Sequence, residues 1–304
     1  HHTSEGQLVV DPFCGSGMTG VASVLSGRHA VLSDLSPAAV HIARNYTTPC
    51  EPEAFVKAAA RVMDRARPTL SWLYEMGAAT SRTRVEYTVW SDVFQCPHCG
   101  TEIVYWDGAR DAKTGAVTEK VKCTGCRHAS EKRELRWVGE RPVETNAKGP
   151  VSREAHPPTN AELELIQRAN ASEILHWIPQ VPFTAAREMW RAGHSAQGVN
   201  SVGDFYTKRN LHALAAIRHA IQEEKDDRLR AALMFAFTGM VNRASKRYQW
   251  NVKRPTNVMT GTLYISSLRY EWNVGSLFER KLRDVAKYFA HLGSPSGRAE
   301  VVQS

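Results

Sequence analysis

The sequence predicts an α/β fold with a parallel sheet, a small inserted β domain and a mostly helical region. Short apolar runs alternate with helical patterns over residues 7–46, and this alternation predicts the parallel sheet. Four of the six cysteines fall within residues 96–126, between strand-like flanks, which predicts the insertion. Helical patterns dominate the chain after residue 160. A length of 304 residues corresponds to about two domains.

The first predicted strand and helix enclose a glycine-rich turn. Residues 7–11 predict a buried strand, because Leu-Val-Val is a continuous apolar run that ends abruptly at Asp-Pro. Residues 19–26 predict a short helix. Gly27 follows as a helix C-cap, since glycine accepts the left-handed backbone that ends many helices.

A second strand and helix come next. Residues 29–33 predict a short strand that ends at Asp34. Ser36 is a favourable N-cap, and Pro37 fits the first helical position, so a helix is predicted from here to about residue 46. The order of strand, helix, strand and helix is typical of the start of a parallel sheet.

The remaining elements are predicted from periodicity alone. Helical patterns cover residues 53–67, 160–177, 207–224, 227–243 and 276–291. Strand patterns cover residues 84–88, 101–106, 135–138 and 262–266. Residues 140–158 are polar and contain proline and glycine, so we predict a linker or surface loop there.

Composition excludes several classes of protein. Apolar residues make up 42% and charged residues 23%, which excludes a collagen, a coiled-coil rod and a disordered chain. No apolar run approaches the roughly 20 residues that span a bilayer, so we expect no membrane segment. The net charge is +8, and residues 241–298 alone contain eleven basic and three acidic residues. This surplus suggests a nucleic acid or an anionic membrane as partner, although a solvated basic face is the simpler alternative.

The glycine-rich turn predicts a nucleoside-binding crevice. Gly15, Gly17 and Gly20 satisfy G-x-G-x-x-G between a strand and a helix. Asp34 ends the next strand, where a carboxylate accepts hydrogen bonds from ribose hydroxyls. A tight turn that serves packing only is the alternative. Asp11, at the tip of the first strand, would repel a dinucleotide pyrophosphate but suits the cationic S-adenosylmethionine, so we favour that cofactor over NAD.

The same residues resemble a known family. Residues 11–20, DPFCGSGMTG, look like motif I of the S-adenosylmethionine-dependent amino-methyltransferases of DNA, and residues 33–39, SDLSPAA, resemble their next motif. Met18 stands where the family often has threonine. The resemblance implies a Rossmann-like methyltransferase fold. It also implies that these residues contact the cofactor: Asp11, Pro12, Phe13, Cys14, Gly15, Ser16, Gly17, Thr19, Asp34 and Leu35.

Two C-x-x-C pairs predict a metal site. Each pair supplies two thiolates to one tight turn, and two such turns complete a tetrahedral zinc site. With four cysteines no coordination position stays open, so we predict structural Zn²⁺ rather than catalytic zinc. The alternatives are a redox C-x-x-C and a chance pairing of cysteines; a redox motif would occur singly and begin a helix. The spacing of the cysteines is not that of a disulfide framework, which also indicates a reducing compartment, and we expect the cytoplasm. The predicted ligands are Cys96, Cys99, Cys123 and Cys126.

The insertion that contains the two C-x-x-C pairs indicates a particular group within this family. The chain resembles adenine-specific DNA methylases that contain a zinc ribbon, with softer similarity in residues 202–210 and 261–273. The predicted organisation is a cofactor-binding part, a zinc ribbon, a mostly helical region, and a return to the methyltransferase domain with a basic helix. The corresponding ranges are residues 1–92, 93–139, 140–260 and 261–304.

The catalytic motif of that family is missing from the sequence. The family uses [DNS]-P-P-[YFW] to accept the amino hydrogens of a flipped base and to stack on its ring. The only Pro-Pro, Pro157-Pro158, lies between His156 and Thr159 and does not match. The family's usual segment upstream of motif I is absent as well. The resemblance therefore implies part of a longer or split enzyme with a companion segment, and we predict no catalysis by this chain alone.

The basic segment is predicted to contact double-stranded DNA. Phosphate contacts by Lys and Arg position a duplex without reading its sequence. The aromatic residues between them, Tyr248, Trp250, Tyr270 and Trp272, stack or pack, and for Trp272 and Phe278 we predict core packing. The predicted DNA contacts are Arg243, Lys246, Arg247, Lys253 and Arg254.

The leading hypothesis is a DNA methyltransferase that acts on adenine N6. A cytosine-N4 or RNA methyltransferase remains open, because the base pocket belongs to the missing motif. A third hypothesis is a non-catalytic zinc-ribbon module that binds nucleic acid. An NAD-dependent oxidoreductase is disfavoured by Asp11 and by the basic segment.

Overall fold

Two compact units make up the chain. The computed structural model describes residues 2–78, 81–111, 113–149, 153–184, 195, 197–252, 258 and 263–304. The glycine-loop unit consists of His1–Arg65, Ile217–Met240 and Phe278–Ser304. The cysteine unit consists of Ala66–Ala216 and Val241–Leu277.

Helices and strands occur in both units. The helices are α1 (Met18–Leu25), α2 (Pro37–Thr47), α3 (Pro52–Tyr74), α4 (Tyr105–Ala109), α5 (Asn160–Ala171), α6 (Lys208–Gln222), α7 (Asp227–Val241) and α8 (Val274–Leu292). The strands are β1 (Leu8–Asp11), β2 (His29–Asp34), β3 (Glu75–Met76), β4 (Thr83–Gln95), β5 (Glu102–Val104), β6 (Lys120–Lys122), β7 (Ala129–Glu131), β8 (Arg136–Lys148), β9 (Arg153–His156), β10 (Leu268–Trp272) and β11 (Ala299–Gln303). The predicted mixed α/β class is confirmed.

The glycine-loop unit contains a three-stranded parallel sheet in the order β1-β2-β11. One face of this sheet packs against α2, where Val40 and Ala43 meet Ala30, Leu32 and Val301 in a buried cluster. The caps predicted around the first two helices are confirmed. Gly27 has φ +71°, and the Ser36 hydroxyl accepts a hydrogen bond from the Ala39 N–H at 3.4 Å. Gly27 thus marks the end of α1, and Ser36 marks the start of α2.

The opposite face of that sheet is exposed, and on β1 it is apolar. Side chains alternate between the two faces of a strand, so Leu8 and Val10 point away from the buried cluster. They are 55% and 63% exposed, and Val302 is 38% exposed. The prediction that β1 is buried is therefore wrong for Leu8 and Val10. Parallel sheets are usually covered on both faces, and no helix among the described residues covers this one.

A long antiparallel pair of strands, β4 and β8, organises the cysteine unit. β8 pairs with β4 along almost its whole length, while β3, β10 and β5 pair with successive stretches of β4. The prediction of a linker over residues 140–158 is wrong, since most of it is β8 and β9. Its proline and glycine are accommodated at register shifts, because Pro142 and Gly139 each adjoin an irregularity in the ladder with β4. The predicted domain boundary at residue 140 falls inside β8.

Three other elements differ from the sequence prediction. α3 continues through Pro68 to Tyr74, because Leu70, Leu73 and Tyr74 are buried on one face beyond the proline. α5 ends at Ala171 rather than at residue 177. The strand expected at residues 262–266 is not found in residues 263–266, and residue 262 lies outside the described residues. The strand lies instead at Leu268–Trp272.

No helix in the described part of the chain combines the length and the apolar character that a bilayer crossing requires.

Candidate cofactor crevice and metal centre

The carboxyl ends of three parallel strands meet at one edge of the sheet. β1 ends at Asp11, β2 at Asp34 and β11 at Gln303. Residues 12–17, here called the glycine loop, leave β1 at this edge and lead into α1. Open α/β sheets bind their ligands at the carboxyl ends of the strands. The predicted cofactor residues therefore lie where such a fold places a ligand.

Asp34 holds the glycine loop in place. Its Oδ2 accepts a hydrogen bond from the Gly15 N–H at 2.9 Å, and its Oδ1 accepts one from the Ser36 N–H at 2.9 Å. The bond from Ser36, followed by the bond from Gly15, lowers the pKa of Asp34 below its ordinary value. The carboxylate is therefore ionised at neutral pH, and each oxygen keeps a lone pair that can accept from a ligand hydroxyl.

The three glycines of the motif are required for different reasons. Gly15 has φ +51°, and the space that a Cβ would occupy there is open. Gly17 has φ +78°, and its Cβ would lie 2.7 Å from the Cβ of Ala43 on α2. A Cβ at Gly20 would lie 2.4 Å from Leu32 Cδ1. Gly15 thus opens the crevice, whereas Gly17 and Gly20 permit close packing beneath it.

The crevice is acidic and apolar rather than basic. Asp11 Oδ1 accepts a hydrogen bond from the Phe13 N–H at 3.1 Å. Phe13 is 85% exposed and Leu35 is 75% exposed, so two large apolar side chains border the loop without a covering partner in the described residues. Residues 7–27 contain no Lys or Arg to pair with a pyrophosphate. These carboxylates and apolar side chains fit a cationic, phosphate-free nucleoside such as S-adenosylmethionine.

Cys14 has a packing role. Its side chain is buried in the cluster beneath the sheet, and burial raises the pKa of its thiol. A buried thiol with a raised pKa is a poor nucleophile. Of the predicted contacts, Cys14 therefore offers only its backbone to a ligand, whereas these three side chains are exposed: Pro12, Ser16 and Thr19.

β11 is the part of this edge that the sequence prediction missed. It pairs in parallel with β2, and the Ser304 N–H donates to the Asp34 carbonyl at 3.3 Å. The Arg44 guanidinium on α2 donates to the Val301 carbonyl at 2.9 and 3.1 Å, which ties the strand to the helix. The signal that could have found it is Val301-Val302 after a turn that contains Pro295.

The four predicted metal ligands converge in the cysteine unit. Their sulfurs all lie within 4.8 Å of one another. The Sγ atoms of Cys96 and Cys126 are 3.8 Å apart, and those of Cys99 and Cys123 are 3.7 Å apart. A tetrahedron with Zn–S bonds of about 2.3 Å has edges of about 3.8 Å, and a disulfide would need about 2.05 Å. The spacing therefore fits a divalent cation held by four thiolates.

The two C-x-x-C turns have the same backbone. The Gly100 N–H donates to the Cys96 carbonyl at 2.9 Å, and the Arg127 N–H donates to the Cys123 carbonyl at 3.0 Å. Both donors are left-handed, with φ +76° at Gly100 and +64° at Arg127. Arg127 is the one non-glycine residue with positive φ among the described residues. The second turn thus bears a backbone strain that the first avoids.

The four thiol groups influence one another's pKa. The hydroxyl and backbone of Thr101 lower the pKa of Cys99 to about 6. Against the lowering effect of the His128 backbone, burial and hydrogen bonds from the other three thiols raise the pKa of Cys126 to about 12. Four negative sulfurs at this distance need a divalent cation to be stable together. The chemistry of the donor set therefore supports a metal site.

The structure describes three of the five residues predicted to contact DNA, and they differ in exposure. Arg243 is exposed. Lys246 is half-buried, and its ammonium lies 3.3 Å from the Glu140 carboxylate. Arg247 is half-buried, and its Nη1 donates to Asn242 Oδ1 at 3.2 Å. The other two members lie outside the described residues: Lys253 and Arg254.

Part of the basic segment is internal. Arg269 is buried, with Nη1 2.9 Å from Asp92 Oδ1, and its other terminal nitrogen pairs with Glu140. Arg209 and Glu271 form a second buried pair, with Nε and Oε1 3.0 Å apart. The aromatic residues of this segment also pack inward: Tyr248, Trp250 and Tyr270 are buried, Trp272 is half-buried, and Phe278 is buried as predicted.

Comparison with known proteins supports the glycine-loop assignment. A protein-family model described as DNA methylase, of the N6/N4 type, matches residues 1–45. This stretch contains β1, the glycine loop, α1, β2 and most of α2. No curated protein and no solved structure matches the chain. The resemblance to the N4/N6 DNA methyltransferase family is therefore confirmed, and it rests on residues 1–45.

Proposed function

We propose that this chain is the cofactor-binding and zinc-bearing part of an S-adenosylmethionine-dependent DNA methyltransferase that acts on adenine N6. The observation that carries the proposal is the glycine loop, which is held on the Asp34 carboxylate and lies inside the matched residues 1–45. The family match supports a DNA amino-methyltransferase in general. The cofactor, the base and the partner are the proposed details.

The crevice supplies the groups that S-adenosylmethionine needs. When bound, the cofactor provides an electrophilic methyl group on its sulfonium. Asp34 accepts hydrogen bonds from the ribose, because its ionised oxygens already face the glycine loop. Asp11 favours the cationic methionine end, and Leu35 covers the adenine. The backbone at Gly15 leaves room for the ligand, since a Cβ there would stand in open space.

The zinc is structural in this proposal. All four ligands come from cysteines, so no position is left for water or substrate. Cys96 and Cys123 are buried in the same cluster as Ile103, Val121 and Leu135. The metal then joins the two C-x-x-C turns to a core of thirteen buried residues, which extends to Tyr270.

Double-stranded DNA is the proposed partner. The net charge of +8 supports an anionic polymer, and the cysteine unit contributes 25 basic and 18 acidic residues to it. Within the predicted cluster, Arg243 is exposed, whereas Glu140 already neutralises Lys246. We therefore expect Arg243 to contribute more to phosphate binding than Lys246.

A companion segment is proposed to carry the catalytic motif. The printed sequence contains no [DNS]-P-P-[YFW] tetrapeptide, so the acceptor for the amino hydrogens must come from another segment. The exposed sheet face formed by Leu8, Val10 and Val302 supports such a partner, because apolar sheet faces are normally covered. In addition, no strand of the described residues pairs with the outer edge of β1.

The test is transfer of labelled methyl groups from S-adenosylmethionine to duplex DNA, followed by separation of the nucleosides. For the chain alone, we expect cofactor binding without a labelled nucleoside. With the companion segment present, we expect labelled N6-methyladenine. Methylation by the chain alone would overturn the companion segment, and labelled N4-methylcytosine would support the cytosine alternative. DNA binding without any cofactor binding would support the non-catalytic module.

A further inference from the structure

A ligand-sized cavity lies in the glycine-loop unit, between α2, α7 and α8. Its volume is about 670 Å³, within the range of roughly 300–1,000 Å³ typical of small-molecule pockets. None of the residues assigned to the cofactor crevice lines it. The side chains that matter for its chemistry are His41, Tyr46, Phe235, Lys281, Asp284 and Tyr288.

Aromatic rings form the walls of this cavity and hold one another in place. The ring of Tyr46 lies 5.0 Å from Phe235 and 5.1 Å from Tyr288, both nearly perpendicular. The Tyr288 hydroxyl donates to the Tyr46 carbonyl at 2.5 Å, which fixes the third ring. Rigid aromatic walls of this kind favour a flat heteroaromatic ligand, since each base has a π-face that stacks on such rings.

Neutral hydrogen-bonding groups lie along one side of the cavity. The His41 Nε2 is 3.1 Å from the Thr238 hydroxyl oxygen. That hydroxyl is also 3.2 Å from the Phe235 carbonyl, to which it donates. Burial lowers the pKa of His41, so its ring is uncharged at pH 7. A neutral imidazole and a hydroxyl can pair with the polar edge of a base without attracting a simple anion or metal.

A cation completes the cavity at its α8 wall. Lys281 lines the cavity beside Gly239, which has no side chain to displace the lysine stem. In the described residues, no carboxylate lies within ion-pair distance of the Lys281 ammonium, so its charge is available to a ligand. At about 100° per residue, Arg280 and Lys287 lie on the exposed side of α8, next to Asp284. The cavity wall formed by α8 therefore bears one cation, Lys281, and one exposed carboxylate, Asp284, which has Arg280 four residues before it and Lys287 three residues after it on the same helix face.

We propose that this cavity binds a nucleotide, with the base against Tyr46, Phe235 and Tyr288 and a phosphate on Lys281. Aromatic walls, neutral polar groups and an unpaired lysine together match the three parts of that ligand class. The ligand is either a free mononucleotide or an unpaired nucleotide of a nucleic-acid strand. The inference does not depend on methyl transfer, because it uses none of the residues of the glycine loop.

The probes are adenosine and adenosine 5′-monophosphate, each titrated calorimetrically into the zinc-loaded 304-residue chain. We expect the monophosphate to bind about tenfold more tightly than adenosine. Lys281→Gln should remove that preference while leaving adenosine affinity unchanged, so loss of folding cannot imitate the result. The matched control, Lys57→Gln, removes an exposed lysine on α3 and should preserve the preference.

Two further variants separate this cavity from the cofactor crevice. Phe235→Ala should weaken binding of both probes to this cavity, whereas Asp34→Ala, which affects only binding at the cofactor crevice, should leave the preference for the monophosphate unchanged. A third probe is an eight-nucleotide single-stranded oligonucleotide. If Lys281→Gln weakens binding of this oligonucleotide and the monophosphate does not bind at all, the cavity binds a nucleotide within a strand. Binding that is lost in Asp34→Ala and retained in Lys281→Gln would overturn the proposal. Absence of saturable binding by all three probes would overturn it as well.

Discussion

The cysteine cluster and the cofactor crevice differ in how completely the residues of this chain pack around them. The cluster has all four ligands within 4.8 Å of one another, and two of them are buried in a core of thirteen residues. The crevice has its loop and its acidic strand end, but it stands on a sheet whose opposite face exposes Leu8 and Val10. The comparison teaches that the cysteine cluster is anchored in a core that this chain builds by itself, whereas a parallel sheet needs layers on both faces.

Removing one zinc ligand has the largest expected effect. Cys96→Ser should lower bound zinc from about one ion per chain to near zero and unfold the residues around the cluster, because structural zinc contributes about 10 kcal/mol or more to such small domains. Zinc content by mass spectrometry and limited proteolysis measure this. The matched control is Cys50→Ser, a buried cysteine outside the cluster, and it should keep its zinc. A zinc content near one in Cys96→Ser would refute the four-cysteine site.

A glycine substitution tests the other region. Gly17→Ala places a Cβ 2.8 Å from the backbone Cα of Ala43, in addition to the strain of φ +78°. We expect a loss of about 2–4 kcal/mol in the unfolding free energy. Gly6→Ala is the matched control, because Gly6 has φ +80° and open space around its Cβ; it should cost about 1 kcal/mol. Equal losses in chemical denaturation would show that close packing at Gly17 is unimportant.

The smallest expected change in stability comes from the second C-x-x-C turn, where Arg127 has a left-handed backbone. Arg127→Gly should stabilise the cysteine unit by about 1 kcal/mol, because glycine relieves a left-handed backbone that arginine adopts at a cost. Thermal unfolding of the zinc-loaded protein measures this. Gly100→Arg, at the equivalent position of the first turn, should destabilise by a similar amount. A destabilised Arg127→Gly would mean that the arginine side chain makes a contribution that outweighs its backbone strain.

Local signals predicted most of the glycine-loop unit. A continuous apolar run, a glycine motif and a serine N-cap gave β1, α1, β2 and α2 with bounds within about two residues, because these signals act through neighbours in sequence. The spacing of Cys96, Cys99, Cys123 and Cys126 predicted the metal cluster for the same reason. The exposed face of β1 was not predictable, since burial depends on which layers are present.

Non-local pairing explains what the sequence prediction missed. β10 contains Arg269 and Glu271, and charged residues argue against a buried strand. Their partners, Asp92 and Arg209, come from distant segments, so the pairing could not be inferred from periodicity. The same effect misled the charge argument, because acids from outside residues 241–298 neutralise Lys246 and Arg269. A surplus of basic residues in one segment is therefore a poor measure of the surface charge of that segment.

The most direct test of the account is a calorimetric titration of the folded, zinc-loaded chain with S-adenosylhomocysteine, repeated with Asp34→Ala. The account predicts saturable one-to-one binding by the wild type and affinity at least tenfold weaker in the variant, because Asp34 holds the glycine loop and faces the ligand. Failure of the folded wild-type chain to bind would contradict a cofactor site built by the glycine loop. Equal affinity in the two proteins would remove Asp34 from it.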